Sequence, residues 1–146
     1  MGDMNPLRQY GVEKLALDAG EAGVHGFIVP DLPFDEAGAM RAVLVAHGMA
    51  LIPLVGPNTG KERMKLYAGV SEGYVYAVSV MGTTGERAEL PPEVPELLSR
   101  VRGEFTLPVV LGFGLRSPQQ LAALPQTVRP DAAGFVGSLL RHIAEG

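Results

Sequence analysis

Five continuous apolar runs, each followed by a segment with helical periodicity, constrain the fold of this 146-residue chain more than any other feature. The runs do not alternate polar with apolar residues, which is typical of parallel strands that are buried on both faces. Their starts lie about 24 to 34 residues apart, which is enough for a strand, a helix and two connections. The sequence therefore predicts an α/β fold with parallel strands at 25–30, 50–55, 74–80, 107–112 and 131–137.

The segments between these runs are expected to form helices that cross over from one parallel strand to the next. Asp35, Thr59 and Ser117 are candidate N-caps, and Gly48 is a candidate C-terminal stop. Two architectures fit the pattern: an open doubly wound sheet and part of a (β/α)8 barrel, because a whole barrel takes about 250 residues. The expected helices cover 11–23, 35–48, 61–70, 92–103, 117–124 and 138–145.

Composition excludes several kinds of partner. The net charge of −4 gives no overall basic field for holding nucleic acid. No apolar run approaches the roughly 18 residues that a membrane span needs, so no membrane partner is expected. Cysteine is absent, which excludes disulfides and thiolate metal sites and favours a cytoplasmic location. With 47% hydrophobic residues, the chain is expected to form a single domain over residues 1–146.

Glycines follow the last two predicted strands and stand directly before expected helices. Backbone N–H groups at such helix starts bind phosphate, and barrels usually hold it at the loops after strands seven and eight. "GFGLRS" (112–117) lacks the third glycine of a dinucleotide fingerprint, and "GKE" (60–62) is not a Walker A loop. The pattern therefore favours a phosphorylated small molecule over NAD or ATP, with ordinary tight-turn glycines as the alternative.

Five segments together resemble the tryptophan synthase alpha chain family in order and spacing. They are "GFIVPDLPFDE" (26–36), "LIPLVGPNT" (51–59), "GYVYAVSVMGTTGERAELP" (73–91), "LPVVLGFGLRSPQQ" (107–120) and "AGFVGSLL" (133–140). "MNPLRQYG" (4–11) is similar to the family's exit from its third barrel strand. The resemblance implies a partial TIM (β/α)8 barrel of about five βα units, which lacks the first strands and the last helix.

The resemblance also implies an activity and a site. The family cleaves indole-3-glycerol phosphate to indole and glyceraldehyde 3-phosphate in tryptophan biosynthesis, with no cofactor, and its partner is the tryptophan synthase beta chain in an alpha2beta2 complex. The implied phosphate cradle is Gly85, Gly114, Gly137 and Ser138, backed by Phe113, with Gly112 allowing close approach. The implied pocket for the indole and the glycerol chain is lined by Ile28, Pro30, Leu54, Tyr76 and Thr84. Loop 81–92 is implied to be a lid.

Nothing in this sequence matches the family's acid and base, a glutamate and an aspartate near the exits of strands one and two. Asp3 stands where the family usually has a tyrosine, and Asp31 is interpreted either as a base or as a cap for backbone amides. His25, His47 and His142 are interpreted as structural, so no metal site is expected. The expectation is an alpha-chain fragment that is inactive or nearly so by itself. Two alternatives stay open: a non-catalytic module that binds a phosphate ligand or the beta chain, and another phosphate-binding barrel enzyme.

Overall fold

The computed structural model describes residues 1–78, 90–112, 115 and 117–134. Strands and helices alternate along the chain after an initial pair of helices, which confirms the α/β fold. The helices are α1 (Met4–Tyr10), α2 (Val12–Glu21), α3 (Ala37–Ala46), α4 (Lys61–Val70), α5 (Glu93–Glu104) and α6 (Gln119–Ala122). The strands are β1 (Gly26–Phe27), β2 (Ala50–Leu51), β3 (Leu54–Val55), β4 (Val75–Val78), β5 (Val109–Gly112) and β6 (Ala132–Ala133). The helix expected at 138–145 lies outside the described residues.

Every strand pairing in the described residues is parallel, as the unbroken apolar runs predicted. β1 pairs with β2, and the other four strands pair in the order β3-β4-β5-β6. The expected strand 50–55 contributes to both sheets, because Ile52 N donates to Phe27 O (2.8 Å) and Pro53 O accepts from Tyr76 N (2.9 Å). The segment 50–55 therefore links the two sheets, and the strands from β1 to β6 follow one another in chain order.

The amino terminus adds a further segment beside β1. Gly2 N donates to Ile28 O at 3.1 Å, and α1 follows directly. The resemblance of "MNPLRQYG" (4–11) to the family implies that this segment follows a strand, but it does not predict that the segment forms a helix. Pro6 is compatible with this helix because it lies in the first turn, where backbone N–H groups have no partner within the helix.

The two faces of the sheet carry different apolar clusters, and β4 shows the division most clearly. Val75 and Ala77 pack with the buried residues of α4 and α5, whereas Tyr76 and Val78 pack with Ile28 and Ile52. We call the first side the helix face and the second the inner face. All four β4 residues are buried, so this strand is covered on both faces as predicted. The alternation follows from the two-residue period of a strand.

Helix ends were predicted less well than strands. Gly48 has φ +72°, which confirms it as the left-handed residue that follows a helix. Asp35 is not an N-cap, because a 3-10 turn at Phe34–Glu36 precedes α3. Thr59 does not cap α4 either; its Oγ1 instead accepts a hydrogen bond from Gly56 N (2.9 Å) within the loop after β3. Ser117 makes no side-chain cap, and α6 begins two residues later. Within the described residues, no helix is long and apolar enough to cross a membrane.

Candidate functional site

Three of the residues implied as lining the ligand pocket come together on the inner face. Ile28 and Tyr76 are buried in one cluster, and the half-buried Leu54 packs against it. Leu54 is also the register partner of Tyr76 across β3 and β4, so their side chains lie on the same side of the sheet. The strand period and the parallel register therefore place these side chains beside each other.

Gly112 is in close contact with Tyr76. A Cβ built on Gly112 would lie 1.8 Å from Tyr76 Oη and 2.2 Å from Cζ, so the phenol fills the space that any side chain at this position would need. A Cβ on Gly134 would lie 3.3 Å from the same hydroxyl. The two glycines form a recess for the tyrosine ring. At Gly112 the close approach is therefore made by Tyr76.

Pro30 and Leu54 border a cavity of about 80 Å³ near the strand ends. Pro30 is exposed, in contrast to its buried neighbours Ile28 and Val29. Ile28 and Tyr76 do not border this cavity, so it lies beside the inner-face cluster. The cavity is lined by Val29, Pro30, Leu32, Phe34, Ala37, Arg41, Leu51, Ile52, Pro53, Leu54 and Tyr67.

The implied phosphate cradle falls on residues that the structure does not describe. Gly85, Phe113, Gly114, Gly137 and Ser138 lie outside the described ranges, and so does the pocket residue Thr84. These positions remain predictions from the resemblance. The described part of the implied site is thus the inner-face wall of Ile28, Leu54 and Tyr76, together with Gly112 and with Pro30 at the cavity beside the wall.

The described inner-face cluster offers little acid-base chemistry. Its members are Ile28, Ile52, Tyr76 and Val78, with Ala50, Leu54, Tyr74 and Val110 packed against them. None of these is an Asp, Glu, His, Lys or Arg residue, so the cluster is apolar and brings no carboxylate to this face. The described residues also contain no group of three or more His, Asp or Glu side chains placed to hold a metal ion.

Asp31 binds the first amide of α1. Both of its carboxylate oxygens accept a hydrogen bond from Met4 N, at 2.8 Å and 3.0 Å. The interpretation of Asp31 as an amide cap is therefore confirmed, although the amide belongs to a helix 27 residues away and not to its own turn. Asp3 is exposed, and its side chain makes no capping hydrogen bond to α1. Asp31, and not Asp3, therefore accepts the hydrogen bond from the first amide of this helix.

Sequence reasoning missed three residues of the inner-face site. Ile52 and Val78 belong to the same buried cluster, and Gly134 is close to the Tyr76 hydroxyl. Ile52 and Val78 stand two positions from Leu54 and Tyr76, so the period of a strand was an available signal. Gly134 is the first glycine of "GFVG" (134–137), but it is far from Tyr76 in the sequence, so no local pattern indicates their proximity.

The fold and the candidate site together define a class: a parallel α/β protein with an apolar cluster on one face of its strands and glycines beside it. A family model described as tryptophan synthase alpha chain matches residues 1–145. The chain therefore belongs to the tryptophan synthase alpha chain family.

Relatives and solved structures agree with this family. The chain is 60% identical over all 146 residues to the tryptophan synthase alpha chain of Desulfovibrio desulfuricans and 56% identical to that of Nitratidesulfovibrio vulgaris strain DP4. It spans 57% and 56% of the lengths of these relatives. Among solved structures, tryptophan synthase of Mycobacterium tuberculosis matches with a TM-score of 0.86 at 38% identity, over 99% of this chain and 54% of that one. A Pyrococcus furiosus tryptophan synthase a2b2 complex matches with a TM-score of 0.86 at 31% identity, over 97% and 57%.

Proposed function

We propose that these residues form the substrate-binding part of a tryptophan synthase alpha chain, whose substrate is indole-3-glycerol phosphate. The observation that carries this proposal is the inner-face wall of Ile28, Leu54 and Tyr76, which offers a planar apolar group an uncharged surface. Such a wall suits an indole ring, because aromatic ligands gain most of their binding energy from buried apolar contact. The phosphate would be held by the backbone amides of Gly85, Gly114, Gly137 and Ser138.

The finer architecture is part of the same proposal. The hydrogen-bonded series from Gly2 through β1 to β6 corresponds to an arc of a TIM barrel, from the end of strand three to just after strand eight. The inner face would then be the barrel interior, and the helix face the outside packed by α3, α4 and α5. This arrangement is supported by the parallel register throughout and by the separate clusters on the two faces.

These 146 residues are proposed to bind substrate with little or no turnover of their own. Cleavage needs a group that protonates the departing indole carbon and another that takes a proton from the glycerol hydroxyl. The described inner-face cluster has no carboxylate, and Asp31 holds the Met4 amide with both oxygens. The proposal therefore separates binding, which the chain performs, from proton transfer, which it does not supply.

Calorimetric titration and an indole-release assay, run on the same preparation, test this separation. We expect saturable binding of indole-3-glycerol phosphate and indole release at least about a hundredfold slower than that of the Desulfovibrio relative, since loss of a general acid or base typically costs 10²–10⁴-fold. Absence of saturable binding by a folded chain would contradict the binding role. Turnover near that of the relative would contradict the proposed lack of catalytic groups.

A matched pair of tyrosine variants assigns any binding to the inner face. Tyr76→Leu keeps an apolar side chain of moderate size but removes the ring and the hydroxyl, and it is expected to weaken binding about tenfold or more. Tyr10→Leu changes a half-exposed tyrosine on α1 and is expected to leave affinity unchanged. Equal affinities for the two variants would exclude Tyr76 from the ligand surface.

A beta-chain partner is also proposed, because a structural neighbour is described as part of a tryptophan synthase a2b2 complex. Such a complex, and a cytoplasmic location with it, fits the family's biosynthetic role. Analytical ultracentrifugation of the chain with a tryptophan synthase beta chain tests the partnership. Co-sedimentation is the expected result, and independent sedimentation at micromolar concentrations of both chains would contradict it.

A further inference from the structure

The Arg41 guanidinium is a cation with no anionic partner in the described part of the chain. It lies over the Phe34 ring, with 5.4 Å between Cζ and the ring centroid, and the Phe34 ring meets the Tyr67 ring edge-on at 4.8 Å. Arg41 Nε is fully buried and has no hydrogen-bond partner. Within the described ranges, Arg41 makes neither an ion pair nor a hydrogen bond, whereas Arg8 pairs with Glu36 and Arg102 pairs with Asp131.

This environment leaves the charge poorly solvated. Burial of Nε removes one of the five donors of the guanidinium from water, and a desolvated donor without a partner is unfavourable. The Phe34 ring stabilises the cation through its π face but accepts no ordinary hydrogen bond. Buried charges are normally paired, and Nε of Arg41 is buried, so a compensating anion is the chemical complement of this position.

The cavity of about 80 Å³ provides the space for that anion. Arg41 lines it, and because Nε is inaccessible, a ligand reaches the guanidinium through its two terminal nitrogens. Those nitrogens present parallel N–H groups that match the two oxygens of a carboxylate. Apart from the Tyr67 hydroxyl, the other side chains that line the cavity are apolar, which suits a carboxylate with a short apolar stem.

We propose that Arg41, Phe34 and the adjoining cavity form a binding site for a small monocarboxylate group, which adjoins the inner-face wall at Leu54 but includes neither Ile28 nor Tyr76. The group is either a free short-chain acid or the side chain of an acidic residue on another polypeptide; both present the same carboxylate on a short stem. The site does not depend on the proposed function, since it uses neither Ile28 nor Tyr76 and invokes no turnover.

Arginine Nε–Hε NMR signals of the ¹⁵N-labelled chain test the site directly. The chain is titrated with acetate, propionate and N-acetyl-glutamate amide, with chloride at equal ionic strength as the reference. We expect a saturable shift of the Arg41 signal with the carboxylates only, and propionate binding more tightly than acetate because its extra methylene contacts apolar walls. Tighter binding of N-acetyl-glutamate amide than of propionate indicates a side-chain source, and the reverse order indicates a free acid.

Three variants distinguish specific carboxylate binding at Arg41 from a general effect of salt on the chain. Carboxylate binding should also raise the thermal unfolding temperature of the parent chain. Arg41→Met keeps much of the packing and removes the charge, so this stabilisation should vanish. Arg41→Lys cannot donate to both oxygens of a carboxylate and should bind about tenfold more weakly. Arg63→Met removes an exposed cation and should behave like the parent chain. A shift that never saturates, an equal response to chloride, tighter binding of inorganic phosphate than of propionate, or stabilisation that persists in Arg41→Met would each overturn the proposal.

Discussion

Tyr76 and Gly112 occupy neighbouring strands so closely that the tyrosine hydroxyl lies 1.8 Å from where a Cβ of residue 112 would be. The contact joins β4 to β5 on the inner face, next to the register pair Val78 and Gly112. Glycine is required here by the volume of Tyr76. The position of the tyrosine ring, and with it the shape of the inner-face wall, therefore depends on residue 112.

Gly112→Ala is expected to destabilise the chain by about 1–3 kcal/mol, because the new methyl group displaces a buried ring. In a Tyr76→Leu background the same substitution should cost markedly less, since the clashing hydroxyl is gone. Urea unfolding of the two single variants, the double variant and the parent measures this coupling. Additive effects would show that the two residues do not compete for the same space.

Gly103→Ala is the matched control, and it is expected to change stability in the opposite direction. Gly103 lies in α5, and no atom outside its own helix backbone and chain neighbours lies within 4 Å of its added Cβ. Alanine in a helix is favoured over glycine by up to about 1 kcal/mol. The same urea measurement should show a small gain, and a loss like that of Gly112→Ala would mean that both glycines are simply intolerant of substitution.

Arg100 is expected to hold the loop after β3 in place. Its Nη1 donates to Thr59 O at 3.0 Å and its Nη2 donates to Pro57 O at 2.8 Å. Arg100→Met should lower the free energy of unfolding by about 1.5–3 kcal/mol, the range for hydrogen bonds to a charged group. Arg100→Lys should restore only part of this stability, because a single ammonium group cannot reproduce the two hydrogen bonds made by the two terminal nitrogens of the guanidinium. Unfolding measurements check this, together with faster hydrogen exchange at the Thr59 amide. Arg63→Met, in an exposed residue of α4, should change neither.

Asp31 is expected to stabilise the amino-terminal segment through the Met4 amide. Asp31→Ala should cost about 1 kcal/mol, the usual value for loss of a helix cap, and Asp31→Asn should cost less because its amide oxygen still accepts. Hydrogen exchange at Met4 N reports the local effect. Asp35→Ala removes an exposed carboxylate in the nearby 3-10 turn and serves as the control. Unchanged exchange at Met4 in Asp31→Ala would contradict the assigned contact.

Asp131 should make stability depend on pH in acid. Its carboxylate accepts a hydrogen bond from Val109 N (2.8 Å) and lies 3.1 Å from Arg102 Nη2, and these contacts lower its pKa below the ordinary 3.8. The folded chain then binds fewer protons than the unfolded chain in this range. The stabilisation is therefore complete above pH 3.8 and is lost as the pH falls through the folded-state pKa.

The comparison with Asp131→Asn isolates this contribution. Urea unfolding between pH 7 and pH 2.5 should show the parent chain more stable than the variant at neutral pH, with the difference shrinking below about pH 4. Since the Asp131 side chain is 48% exposed, solvent and salt weaken the effect. A stability difference that stays constant across the whole range would show that the carboxylate charge contributes nothing.

Local sequence patterns predicted the parallel strands, because a buried strand needs a continuous apolar run, but they left the order of the strands in the sheet open between two architectures. The two-residue period of a strand, with the register of β3 and β4, explains why Leu54 and Tyr76 share one face. The resemblance to the family was needed to assign them to a site. Helix α1 was not predicted, since its start depends on Asp31 in a distant loop. The contact between Arg41 and Phe34 was not predicted either, because it depends on how α3 packs against the turn before it and on Tyr67 from α4.

Methyl NMR with indole-3-glycerol phosphate tests most directly whether the inner face binds the substrate. Ile28 δ1 and Leu54 δ methyl groups report on the wall, and the exposed Leu17 on α2 is an internal reference. We expect Ile28 and Leu54 to shift saturably with one dissociation constant while Leu17 stays unmoved. A folded chain in which Ile28 and Leu54 do not shift, or shift no more than Leu17, would contradict the assignment of this surface to the substrate.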